Sequence, residues 1–183
     1  MDLTVRELSK ETQLGGMTIS TCEYCGGSYV DKKFLEFIES KVGESAMQKL
    51  KKNNYNQVYC LVQYFWYGAK IPFTGEKSDF VETFEVDIER KCPTLMEYIT
   101  GSQRDQLERD DWLIDIDFET IKGFFDEVIK KILAAIKSQL DKYPSCSVLF
   151  LVVSRNIFNL ELNNNLQKIV GMSVVRLLMK NKR

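Results

Sequence analysis

Five apolar side chains, Ile121, Phe125, Val128, Ile132 and Ile136, recur at intervals of four, three, four and four residues. That spacing belongs to one face of an α-helix and to no face of a strand. A stripe of about four helical turns is not stable against water, so the segment predicts a long helix whose apolar face is covered. Asp117 stands where an N-cap belongs, because a short side-chain acceptor there satisfies an amide of the first turn. Lys130, Lys131 and Lys137 fall off the stripe, and Pro144 ends the helix. Val148 to Val153 is then uniformly apolar, the pattern of a strand covered on both faces. A long amphipathic helix leading into a buried strand predicts an α/β fold.

The rest of the chain adds elements of both kinds. Leu3, Val5 and Leu8, then Met17, Ile19 and Thr21, are near-alternating and predict a hairpin looped through Ser9 to Gln13, with Gly15-Gly16 as a turn signal. Cys25-Gly26-Gly27-Ser28 reads as a turn with Ser28 as a cap. Three helices follow. Phe34, Phe37, Ile38 and Val42 mark one over Asp31 to Val42, Met47 and Leu50 a second, and Val58, Leu61, Val62, Phe65 and Ala69 a third that stops before Pro72. Phe84, Val86 and Ile88 alternate with Thr83, Glu85 and Asp87, and Trp112, Ile114 and Ile116 do the same, predicting two half-buried strands around a helical or irregular stretch from Pro93 to about Leu107. A last helix is expected over Leu160 to Val170, and residues 171–183 form an unassigned tail that turns basic.

Composition narrows the chemistry. There is no histidine in the 183 residues, which excludes Ser-His-Asp and Cys-His nucleophile systems and histidine-ligated zinc. The net charge of -1 supplies no field to attract nucleic acid or an anionic membrane, and neither is expected as a partner. The N-terminus lacks the basic flank and apolar core of a signal peptide, and the Val148–Val153 run is too short to span a bilayer. With an odd count of 5 cysteines, reduced thiols in the cytoplasm are the expectation.

Sharper motifs resolve into plainer ones. Cys22 and Cys25 form a C-x-x-C, but a redox pair needs its first cysteine at a helix N-terminus and here Gly26-Gly27 intervenes. Cys60, Cys92 and Cys146 are too scattered to complete a zinc site. Alternation puts Asp115 and Asp117 on the face away from Ile114 and Ile116, and the acidic stretch from Asp110 to Glu119 lacks the glycine turn of a calcium loop. Phe65 reads as core, Trp66 and Tyr67 as candidates for a ligand or neighbouring surface, and Lys49 to Lys52 as a solvated helix end.

Three stretches, in this order, resemble the heat-shock-seventy chaperone family in its actin-like ATPase domain, as a divergent eukaryotic branch of it. The first is Cys25 to Asp31, where Gly27 and Asp31 keep the spacing of a Gly-Gly turn opening a helix. The second is Tyr67 to Thr74, matching the helix end that holds adenosine. The third is the long helix from Phe118 with the strand Leu149 to Val153. The resemblance covers about Leu3 to Val170.

What it implies is the second lobe of an actin-like (ribonuclease H-like) ATPase domain, with a mixed sheet on a long packing helix plus a small helical subdomain. Residues 1–30 become core strands, 31–80 the helical part of an outer subdomain, 81–117 its strands and connecting helix, and 118–170 the core helix, central strand and following helix. Asp2-Leu3-Thr4 resembles the strand after the second phosphate loop, so both phosphate loops and the first lobe are expected to lie outside these residues. Lys70 and Thr74 match the family's lysine and serine, whereas Tyr67 and Ile71 replace its glutamate and arginine, and Val153 and Ser154 replace its paired glycines. The resemblance therefore implies at most weak ATP or ADP binding, through Gly26, Gly27, Lys70, Thr74 and Ser154. Mg²⁺ would come only with the nucleotide; no catalytic residue and no metal ligand is assigned. Hydrolysis by this chain alone is not expected, and the alternatives are a nucleotide-free interaction module, with a protein partner or self-association on the exposed cleft face, or a truncated fragment without function.

Overall fold

The structure is a computed structural model, and it describes residues 2–3, 6–8, 14–16, 21–22, 26–80, 82–142, 149–154 and 175–180. The fold is α/β and mostly helical, divided into two compact units, Val30–Phe124 and Met1–Tyr29 with Phe125–Arg183.

The unit Val30–Phe124 is built on an aromatic core. Helix α1 (Gly27–Val42) buries Val30, Phe34, Ile38 and Val42 at four-residue spacing. Helix α2 (Glu44–Asn53) buries Ala46, Met47 and Leu50, and α3 (Tyr55–Phe65) buries Val58, Leu61 and Phe65. Gly43, at φ 92, makes the turn between α1 and α2, a conformation that costs a residue without Cβ little. Phe34 and Phe65 stack face to face, with ring centroids 4.3 Å apart and planes within 3°. The edges of Phe84 and Phe124 close on Phe65, each at 6.1 Å. Burial of Phe34 and Phe65, both fully covered, contributes roughly 2–3 kcal/mol each.

Strand β5 (Phe84–Asp87) pairs antiparallel with β6 (Leu113–Ile116), Phe84 opposite Ile116 and Val86 opposite Ile114. Between them run α4 (Ile88–Lys91), α5 (Pro93–Tyr98) and α6 (Ser102–Arg109). The stretch expected as helical or irregular from Pro93 to about Leu107 is helical in two pieces, α5 and α6, parted where Gly101 adopts φ 65. Trp112, expected inside the strand, precedes it: with Asp111 it takes positive φ, and its amide donates to Leu107 O at 2.7 Å. Arg104 stacks over its ring at 5.3 Å, which helps hold this uncommon backbone.

Helix α7 (Phe118–Lys142) is the long helix of the stripe, and all five of its apolar positions are buried. Thr120 N donates to Asp117 Oδ1 at 2.8 Å, the expected cap. Off the stripe, Lys131 Nζ lies 3.8 Å above the centre of the Tyr29 ring, within one unit.

Paired strands complete that unit. Strand β1 (Asp2–Leu3) pairs with β4 (Thr21–Cys22), and β2 (Arg6–Leu8) pairs with β3 (Leu14–Gly16), both antiparallel. The register sets Leu8 opposite Leu14. Gly15 and Gly16 therefore belong to a strand and not to a turn; residues 9–13, expected as the loop, lie outside the described residues. Strand β7 (Leu149–Ser154) pairs in parallel with β8 (Val175–Lys180), so the unassigned tail supplies a strand. The helix expected over Leu160 to Val170 lies outside the described residues, as do Cys25 and Cys146. Among the described residues no helix is long and apolar enough to cross a membrane.

Candidate functional site

Two local features shape the site. The first is the start of α1. It begins at Gly27, one residue before the expected cap Ser28, and Gly26 O accepts from Tyr29 N at 2.9 Å. The helix consequently carries Asp31 on its second turn. The second is the end of α3, which continues as a π-helical turn over Trp66–Lys70, closed by Ile71 N donating to Trp66 O at 2.9 Å. An i→i−5 bond takes in an extra residue and delays the rotation of the side chains that follow. Ala69 and Lys70 are both buried as a result.

The two features meet. Lys70 Nζ donates to Asp31 Oδ1 at 2.6 Å. The Lys70 side chain is 2% exposed and that of Asp31 21%. Trp66 lies beside the pair, its ring 5.3 Å from Nζ. Burial lowers the pKa of Lys70, and the hydrogen bond and charge of Asp31 act against that shift. A cation so placed faces a carboxylate and an aromatic ring, and desolvation is the larger influence on its pKa.

The remaining positions of the adenosine-like stretch point outward. Tyr67 is 70% and Ile71 45% exposed, four residues apart, and Trp66 packs edge-on against Tyr67. Thr74 is exposed, and its hydroxyl accepts from Glu76 N at 3.2 Å. It also lines a cleft of about 390 Å³ between the end of α3 and β5. Gly68 lets Phe84 close in there: a Cβ on Gly68 would stand 2.5 Å from Phe84 Cε2.

No family model, curated protein or solved structure matches the chain.

The five residues expected to touch nucleotide are thus distributed. Lys70 and Thr74 belong to the unit Val30–Phe124, Lys70 in its interior and Thr74 on the surface. Gly26, Gly27 and Ser154 belong to the other unit, the glycines at the start of α1 and Ser154 at the end of β7, in register with Lys180. Sequence reasoning singled out Asp31 for its spacing from Gly27 but not as the partner of Lys70. The only available signal was charge complementarity between two positions 39 residues apart. The aromatic pairs of the cleft carried no signal beyond their apolar character. Cys60 is exposed and Cys92 buried. Asp115 and Asp117 are both exposed, and among the described residues no group of carboxylates and cysteines is close enough to hold a metal ion.

Proposed function

We propose that the chain is the second lobe of a heat-shock-seventy-like, actin-like nucleotide-binding domain that recognises the nucleoside part of ATP or ADP weakly and does not by itself hydrolyse it. The Asp31–Lys70 pair carries this reading. The first stretch of the resemblance supplies Asp31, the second supplies Lys70, and the two side chains meet at 2.6 Å. Among the described residues the strands form separate two-stranded pairs rather than one mixed sheet; in this reading they and the long helix correspond to parts of the lobe's core, and residues 31–80 to its outer helical subdomain.

The roles follow from exposure. Lys70 is committed to Asp31, so it positions the helix end. Tyr67, Ile71 and Thr74 offer the surface on which a purine rests. Stacking on an aromatic ring is worth about 1–3 kcal/mol, which corresponds to millimolar affinity or weaker. Phosphates gain little here: the cleft beside Thr74 is lined by Glu76, Asp79 and Glu85 and by no lysine or arginine. Phosphoryl transfer relies on loop amides, a lysine and Mg²⁺ around the triphosphate, and a buried, paired lysine does not supply that charge.

Titration calorimetry with adenosine, ADP and ATP tests the reading. Adenosine is expected to bind as tightly as ATP, and Tyr67→Ala to abolish binding. No heat from any of the three at roughly 50 mM refutes it. The same exposed pair, Tyr67 and Ile71, supports a second reading, a nucleotide-free face for a protein partner or self-association. Light scattering that shows a dimer lost in Ile71→Asp would favour it.

A further inference from the structure

We propose that the cleft between the end of α3 and strand β5 binds a small organic monocation with an apolar body, of the arylalkylammonium class. Its walls are two aromatic pairs. Tyr64 and Phe84 lie with ring centroids 5.3 Å apart, and Phe73 and Phe80 lie 6.4 Å apart, edge to face. Three carboxylate residues, Glu76, Asp79 and Glu85, line the same cleft. Among the described residues none of the three forms an ion pair; Asp79 accepts from its neighbour Ser78 at 3.2 Å.

The combination selects the ligand. Aromatic faces attract cations through their quadrupole and repel anions. Unpaired carboxylates at the same opening raise the local concentration of cations. The volume of about 390 Å³ falls in the range of small-molecule sites. One lining ring already carries a cation, since Lys91 Nζ stands 4.4 Å from the centre of Tyr64. Lys91 is not itself part of the lining, nor is Lys77 of the short 3-10 turn Lys77–Asp79. The apolar body of the ligand would rest on Phe73, Phe80 and Phe84, with its ammonium at the acidic edge.

Phenethylammonium is the probe, with 2-phenylethanol as its neutral isostere and phenylacetate as its anionic one. Amide chemical shifts are followed by NMR. The expected result is shifts at Gly68, Thr74 and Phe84, with the cation bound about tenfold more tightly than the alcohol and the anion weakest. That preference should shrink when salt is raised to about 0.5 M. In Glu76→Gln/Asp79→Asn, two changes at exposed positions, the preference for the cation should shrink, since of the three carboxylates only Glu85 remains, while the alcohol still binds. Equal affinity for cation and alcohol, no shift at roughly 10 mM ligand, or an unchanged preference in the double variant overturns the proposal. Tyr67→Ala is expected to leave cation binding intact, so failure here and failure of nucleoside binding are separately readable.

Discussion

The Asp31–Lys70 pair predicts an asymmetry between its two members. Removing Asp31 leaves an ammonium whose side chain is 2% exposed without the carboxylate it donates to, beside the Trp66 ring. Breaking a buried pair in this way costs about 3–5 kcal/mol. The Asp31 carboxylate is partly hydrated, at 21% exposure, so its attraction for Lys70 is partly screened and the lower end, about 3 kcal/mol, is expected for Asp31→Ala. Lys70→Met is a different perturbation. It removes the charge that was expensive to desolvate and keeps the volume, while Asp31 takes up water. Its cost should be within about 1 kcal/mol. Urea denaturation followed by circular dichroism reads both, and the Asp31→Ala melting temperature should fall by roughly 6–12 °C.

The pH dependence has a definite sign. Burial lowers the folded pKa of Lys70 below its ordinary 10.5. Between the two values the unfolded chain binds more protons, so stability rises with pH across that window. Without Asp31, which opposes the shift, the folded pKa drops further and the window opens at lower pH. The deficit of Asp31→Ala should therefore shrink as pH is raised from neutrality toward 10.5. Asp31→Ala costing no more than Lys70→Met, or a deficit that grows with pH, refutes this account of the pair.

Further predictions concern separate parts of the fold. Gly68→Ala gains about 1 kcal/mol of helix propensity, but the new methyl meets the Phe84 ring at 2.5 Å. That ring is held against Tyr64 and Phe65, so overpacking of about 1–3 kcal/mol should win; a variant that melts above the parent contradicts this. Asp117→Ala removes the cap of α7 and should cost about 1 kcal/mol. Hydrogen bonds from the Thr120 side chain and amide hold the Asp117 carboxyl below its ordinary 3.8, so its contribution is full above 3.8 and is lost as pH falls through the lower folded value. Denaturation curves at neutral and acid pH should show the gap between parent and variant closing in acid. Cys60 is exposed, whereas burial pushes the Cys92 thiol up to about 11. Peptide-mapped alkylation at neutral pH should label Cys60 first and Cys92 only on unfolding, and equal labelling rates refute the buried assignment.

Much of the local architecture was legible before folding. The stripe from Ile121 to Ile136 specified α7 and its buried face, and Asp117 specified its start, because helix periodicity and capping are short-range properties. Alternation over Thr83–Ile88 and Trp112–Ile116 marked two strands for the same reason, although Ile88 begins α4 and Trp112 precedes β6. Apolar spacing also placed α1, α2 and α3, although the capping reading put the first boundary at Ser28 and Asp31 when α1 opens at Gly27.

Other features were decided only in three dimensions. The π turn at Trp66–Lys70 turned a lysine into the interior, and no local pattern announces an extra residue in a helical turn. The pairing of Lys70 with Asp31 depended on which faces of α1 and α3 came together around the Phe34–Phe65 stack. The cleft arose because Gly68 admits the Phe84 ring and the loop through Thr74 to Phe80 brings its carboxylates alongside. The sequence determined which elements form, since that is settled over a few residues. Tertiary packing determined which charges are buried and which are left facing a cavity, since burial is a property of what the rest of the chain puts next to a residue.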